Sequence, residues 1–192
     1  RLALKSLEVE NNLAPIVVPA KSLKEWQKIL SKAKDDRVNI AALDSQVVFN
    51  CGEIYFISRL LQGQFPAYDK IIPSEFTASF KANRKDFLDL LERMEVFAEI
   101  DETNTVKITI SPNEVVVSTL PSERGFAKES LPAEIEMGGN LEIGFNVEYL
   151  IDPLDNMDTD EIVMKFTSDL GPALITSPED ENYMYILMPV RL

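Results

Sequence analysis

Apolar and polar side chains alternate along much of this chain. Val106-Lys107-Ile108-Thr109-Ile110 and Leu141-Glu142-Ile143-Gly144-Phe145 each put every second side chain on one apolar face. Val115-Val116-Val117-Ser118-Thr119, Ile162-Val163-Met164-Lys165-Phe166 and Ala173-Leu174-Ile175-Thr176 add short β-branched or apolar runs. These patterns predict strands, and residues 2–7, 38–43, 47–50, 54–58 and 183–188 read the same way. Turn residues separate them at Asn50-Cys51-Gly52, Ser111-Pro112-Asn113-Glu114 and Ser177-Pro178-Glu179-Asp180, which predicts antiparallel hairpins.

Between strands the period lengthens, and a plan recurs: a short strand, a polar turn, a helix, then two or three strands. The first unit opens with Pro15-Ile16-Val17-Val18-Pro19-Ala20, followed by a helical stretch from Lys21 to Leu30. The second opens with Phe76-Thr77-Ala78-Ser79-Phe80-Lys81 and continues helically from Arg84 to Leu91; the third opens with Leu141 to Phe145 and continues through Asn146 to Ile151. Hairpins backed by helices predict an α+β fold with antiparallel sheets. A linker-like stretch at Pro73-Ser74-Glu75 suggests two domains, 1–73 and 74–192, with one unit and a leading strand before it and two complete units after.

The helices differ in their charged faces. At about 100° per residue, Lys21, Lys24, Lys28 and Lys32 share an arc of about 80°, with Leu23, Trp26, Leu30 and Ala33 on the other side. That stripe is either a solvated face or a surface for something anionic. The second helix has a core stripe of Phe87, Leu91 and Met94 opposite Lys85, Asp89, Glu92 and Arg93. The third carries Glu148, Asp152, Asp155 and Asp158 without a base, and Pro153 should kink or shorten it.

Composition narrows the chemistry. Apolar residues make up 45% of the 192, enough for a globular core. The chain has no histidine, which removes Ser-His-Asp and Cys-His catalysis and the usual zinc sites. A lone cysteine, Cys51, excludes an internal disulfide and suits a small core filler. Nothing places two of the 32 carboxylates in one cleft, so neither an enzyme nor a metal or other cofactor is expected. No apolar run has membrane-spanning length and no signal peptide opens the chain, so a cytoplasmic protein without membrane contact is expected. A net charge of −13 argues against wrapping nucleic acid over the whole surface, though not against a basic face on an acidic body.

Four blocks, in order from end to end, resemble the bacterial sliding clamp, the beta subunit of DNA polymerase III. The C-terminal Leu187-Met188-Pro189-Val190-Arg191-Leu192 is similar to that family's terminal M-P-[MVI]-R-L. Ser58-Arg59-Leu60-Leu61-Gln62-Gly63-Gln64-Phe65-Pro66-Ala67-Tyr68 is like its S-[RK]-L-[IVL]-x-G-x-[FY]-P-[DN]-Y, with Ala67 in place of the usual acid or amide. Leu141 to Leu150 and the leading Arg1-Leu2-Ala3 match further blocks. Residues 98–102 occupy a loop that is usually basic and here is acidic.

The resemblance implies the DNA-clamp fold, with this chain holding the second half of a middle domain and a whole C-terminal domain of a longer protein. It implies a processivity factor: a homodimeric ring that encircles double-stranded DNA without sequence specificity. Lys21, Lys24, Lys28, Arg84 and Lys85 would face the DNA, and Val96 and Phe97 a dimer interface, with residues 124–131 as an edge strand for a neighbour. A hydrophobic pocket would capture peptide motifs from the DNA polymerase III catalytic subunit, the clamp loader and other clamp-binding proteins. By resemblance it takes Leu2, Pro66, Lys70, Ile71, Pro172, Ile186, Met188, Pro189 and Val190, with Asn146, Tyr149, Arg191 and Leu192 beside it. A scaffold that uses the same pocket without DNA is the alternative.

Overall fold

Backbone pairing sorts the chain into antiparallel sheets backed by helices, the expected α+β arrangement. The computed structural model describes residues 2–5, 14–98, 104–122 and 125–192. They fall into two units: one holds the described part of 8–68, the other the described parts of 1–7 and 69–192. The second therefore opens with β1 (Leu2–Lys5) and resumes at Asp69, a few residues ahead of the linker suggested at Pro73.

In the smaller unit α1 (Ala20–Leu30) backs a sheet of β2 (Asn39–Ala42), β3 (Gln46–Cys51) and β4 (Ile54–Arg59), in that order. Alternation turns Val47, Phe49 and Cys51 of β3 into the core, and register sets Phe49 opposite Phe56. Trp26 docks on both rings, with centroids 5.5 Å from Phe49 and 5.6 Å from Phe56. Buried Ser58 is satisfied by a 2.8 Å hydroxyl hydrogen bond to Ser22. Gly52 supplies the positive φ, 58°, that the β3–β4 turn requires.

Two expectations are corrected here. Leu23 is 43% exposed; the packed face of α1 is Ser22, Trp26, Ile29 and Leu30, continued by Ala33, and Leu23 stands at the margin of that arc. Residues 15–19 form no strand, because Pro15 and Pro19 lack the amide hydrogen a ladder needs. Ile16 and Val18 still pack on the core, and the Val17 carbonyl accepts from the Leu61 amide at 2.9 Å.

Two repeats build the larger unit. The first runs β5 (Ala78–Asn83), α2 (Arg84–Ala98), β6 (Thr105–Ser111), β7 (Glu114–Thr119), β8 (Lys128–Leu131) and β9 (Ala133–Met137). The second runs β10 (Leu141–Asn146), α3 (Val147–Asp155), β11 (Glu161–Phe166), β12 (Ala173–Ser177) and β13 (Asp180–Leu187). Each repeat's opening strand pairs with the first strand after the other's helix, β5 with β11 and β10 with β6. Neither repeat can therefore complete a sheet alone. One sheet has the order β1-β13-β12-β11-β5-β9, the other β10-β6-β7-β8. The three predicted turns close hairpins at Cys51–Ile54, Ser111–Glu114 and Ser177–Asp180.

Both repeats end alike. β8 pairs with β7, and after Pro132 the chain crosses to the other sheet as β9 beside β5. β13 pairs with β12, and after Pro189 Val190 crosses to bridge Gly144 of β10. Proline cannot donate to a ladder, so it suits the corner where a strand leaves its sheet. The helices also start alike: Asn83 Oδ1 accepts from the Lys85 and Asp86 amides at 3.0 and 3.1 Å, and Asn146 Oδ1 from the Tyr149 amide at 3.2 Å.

α2 buries Phe87, Leu90, Leu91, Met94 and Ala98, and α3 buries Val147, Leu150 and Leu154, all in one core with the inner faces of both sheets. Pro153 stands in the last turn of a helix that ends at Asp155.

Charged and hydroxyl groups on the six-stranded sheet give stability a pH dependence. The hydrogen bond from Lys5 holds the Asp180 carboxyl below its ordinary 3.8, while the hydrogen bond that Lys81 donates to Glu161, at 2.7 Å, holds Lys81 above its ordinary 10.5. Burial pushes the Tyr183 hydroxyl above its ordinary 10.0. The Asp180 contribution is present above about pH 3.8 and fades as pH falls through the lowered value; those of Lys81 and Tyr183 are present below about pH 10 and fade as pH rises through the raised ones. Urea midpoints measured from pH 2 to 12 are expected to fall at both ends. Asp180→Asn should shallow the acid limb and leave the alkaline limb in place.

Candidate functional site

The outer edge of β13 organises the site. β1 lies antiparallel on it, with Leu2 opposite Ile186 and Lys5 opposite Tyr183, and the Lys5–Asp180 ion pair fastens the far end. A single 3-10 turn, Tyr68–Ile71, carries Lys70 and Ile71 to the same place, and Pro172 enters just before β12. Together Leu2, Lys70, Ile71, Ile72, Pro73, Pro172, Ile186, Leu187 and Met188 line a groove of about 440 Å³. Its wall is mainly aliphatic, with Lys70 as the charged member. Ile186 and Leu187 are buried and form the floor, while Ile71 and Met188 are more than half exposed. An apolar side chain seated there removes both from water, worth about 1.5–3 kcal/mol per well-buried anchor.

The structure thus brings together Leu2, Lys70, Ile71, Pro172, Ile186 and Met188. Pro189, Val190, Arg191 and Leu192 do not line the groove, because the chain turns away at Pro189. The Val190 amide donates to the Gly144 carbonyl at 2.9 Å, and Leu192 covers Gly144 so closely that a Cβ there would stand 2.7 Å from Leu192 Cδ2. Asn146 and Tyr149 belong to the start of α3, and Pro66 lies in the smaller unit.

Lys21, Lys24 and Lys28 are exposed on α1, with Lys28 Nζ 3.0 Å from Glu25 Oε1. Lys85 is exposed in the first turn of α2. Arg84 is turned inward: its Nε donates to the Thr159 carbonyl at 2.6 Å and its Nη1 to the Leu154 carbonyl at 2.8 Å. A cation at the carbonyl end of α3 is favoured by the helix dipole. At the other end of α2, Val96 is 68% and Phe97 40% exposed, and Arg93 pairs with Glu129 of β8 at 2.9 Å. Within the acidic loop of 98–102, residues 99–102 lie outside the described residues, as does Arg124 of the suggested edge strand. Among the described residues no group of three His, Cys, Asp or Glu could hold a metal ion, and no helix is long and apolar enough to cross a membrane.

Residues 69–191 match the family profile described as DNA polymerase III beta subunit, C-terminal domain, and residues 1–67 match that of its central domain. The chain belongs to the DNA polymerase III beta subunit family. The beta sliding clamp of Staphylococcus epidermidis is 31% identical over all of this chain and 51% of its own length. The Bacillus subtilis DNA polymerase sliding clamp superposes with a TM-score of 0.90 at 32% identity, over 99% of this chain and 51% of that one. A Bartonella birtlesii sliding clamp solved bound to griselimycin superposes with a TM-score of 0.85 at 32% identity, over 92% of this chain and 47% of that one. The chain thus spans about half the length of the clamps it matches.

Ile72, Pro73 and Leu187 line the groove without having been assigned to it from the sequence. Ile72 and Pro73 directly follow the flagged Lys70-Ile71, so extending that stretch would have found them. Leu187 heads the terminal block and is a buried strand residue, which reads as core.

Proposed function

We propose that this chain is part of a ring-forming processivity factor that encircles duplex DNA without reading its sequence and tethers a polymerase through the groove. Residues 1–73 act as the second half of the middle domain and 74–192 as the C-terminal domain. The observation that carries this is the meeting of Leu2, Ile71 and Met188, from three distant stretches of sequence, around one apolar groove. The groove suits a short peptide from a polymerase or clamp loader that inserts aliphatic or aromatic anchors. Two anchors with strand-like backbone contacts reach about micromolar affinity. Griselimycin, bound by the Bartonella clamp, is the direct probe: calorimetry should give saturable one-to-one binding to this chain, and a folded chain that binds none would remove the groove's assigned role.

Lys21, Lys24, Lys28 and Lys85 are the phosphate-facing residues in this proposal, with Arg84 tying the start of α2 to the end of α3. Val96, Phe97 and β8 form the contact between subunits. The two repeats support the last point: β13 carries β1 on its outer side, and β8, its counterpart, carries no strand there among the described residues.

A scaffold that never meets DNA is the second possibility, favoured by the acidic face of α3 and the pairing of Lys28 with Glu25. Reversing Lys21, Lys24 and Lys28 to glutamate in the whole protein separates the two. On a ring, polymerase processivity drops about tenfold or more and its salt sensitivity lessens, since each phosphate contact contributes a slope of about −0.9 in log K against log salt. On a scaffold neither changes.

A further inference from the structure

The chain has six methionines, and their surroundings differ. Met94, Met157 and Met164 are buried in the core and Met184 is half-buried. Met137 is 51% exposed on β9, an outer strand of the six-stranded sheet. Met188 is 58% exposed and is the methionine, among the described residues, that lines the groove.

We infer that Met188 is a redox modification site: a peroxide converts its exposed thioether to the sulfoxide and thereby weakens capture of apolar ligands by the groove. The inference rests on the groove's role in ligand capture proposed above. The sulfur lone pair attacks one peroxide oxygen and the O–O bond breaks. The departing hydroxide takes the proton of the transferred oxygen and leaves as water. Sulfur is oxidised by two electrons, the peroxide is reduced by two, and no further reductant is consumed. Thiolate chemistry does not compete, because the single cysteine, Cys51, is buried.

The consequence follows from solvation. In the free protein the sulfoxide oxygen of an exposed Met188 is hydrated. A ligand anchor seated against Leu2, Ile71 and Ile186 strips that water and offers a hydrocarbon surface in exchange. A strong acceptor left unpaired weakens binding by about ten- to a hundredfold. The change is reversible, since methionine sulfoxide reductases restore the thioether.

The test treats the chain with hydrogen peroxide until peptide mapping shows Met188 converted, then measures griselimycin affinity by calorimetry before treatment, after it, and after reductase. The expected result is a tenfold or greater loss that the reductase reverses. Met188→Leu is expected to keep its own starting affinity through treatment, and Met137→Leu to lose affinity as the parent does. Undiminished binding after complete conversion, an equal loss in Met188→Leu, or a Met188 that resists peroxide while Met137 reacts overturns the inference alone. Failure of the untreated protein to bind griselimycin removes the groove's role as well.

Discussion

Ile71→Asp is expected to weaken griselimycin binding about a hundredfold or more without measurably changing the urea midpoint. Ile71 is 53% exposed on a short 3-10 turn, so the fold gains little from its side chain. In the proposed function its value lies in the apolar surface it would present to a ligand. Replacing it removes a buried contact worth about 1–2 kcal/mol and introduces a carboxylate that a seated ligand must dehydrate, at a cost of several kcal/mol. Calorimetry on the variant, with circular dichroism and urea titration as controls, reads both halves of the expectation. Parental affinity in a folded Ile71→Asp protein would mean that the ligand seats elsewhere.

Phe166→Ala should be among the most damaging single changes to the fold. The ring is fully buried, with centroids 5.9 Å from Phe80 and 6.4 Å from Phe145, so it joins the opening strands of both repeats. Ala78 and Ala173 flank it across the sheet and leave room for it. Truncation costs about 3–5 kcal/mol, a large part of the 5–15 kcal/mol that holds a typical domain. Because each repeat completes its sheets with the other's strands, the loss should lower one cooperative transition of the larger unit. Two separate transitions, one per repeat, would contradict that interlocking.

Much of this architecture is written locally. Period-two runs such as Val106 to Ile110, and turns such as Ser111 to Glu114, carry their own signal and fold as they read. The misses have local causes as well. Pro15 and Pro19 bracket a β-branched run that reads as a strand yet cannot donate at either end. In β9, Glu134 and Glu136 flank Ile135, and the charges mask a pairing strand. Asn83 and Asn146 carry a legible N-cap signal that the strand pattern overshadowed. Other features are non-local and leave no periodic trace. Nothing near Arg84 in sequence announces that its guanidinium binds the end of α3, because the partner carbonyls are more than sixty residues away. The groove is of this kind too: periodicity cannot pair Leu2 with Ile186, and family resemblance to the terminal and Phe-Pro motifs supplied that link.

The pairing of β1 with β13 joins nearly the first residue of this chain to nearly the last. While the ribosome is still adding residues 186–188, Leu2 has no strand to lie on and Ile71 no floor to lean against. The groove therefore cannot exist before β13 has paired with β1, so closing that strand pair and shaping the cleft are one event.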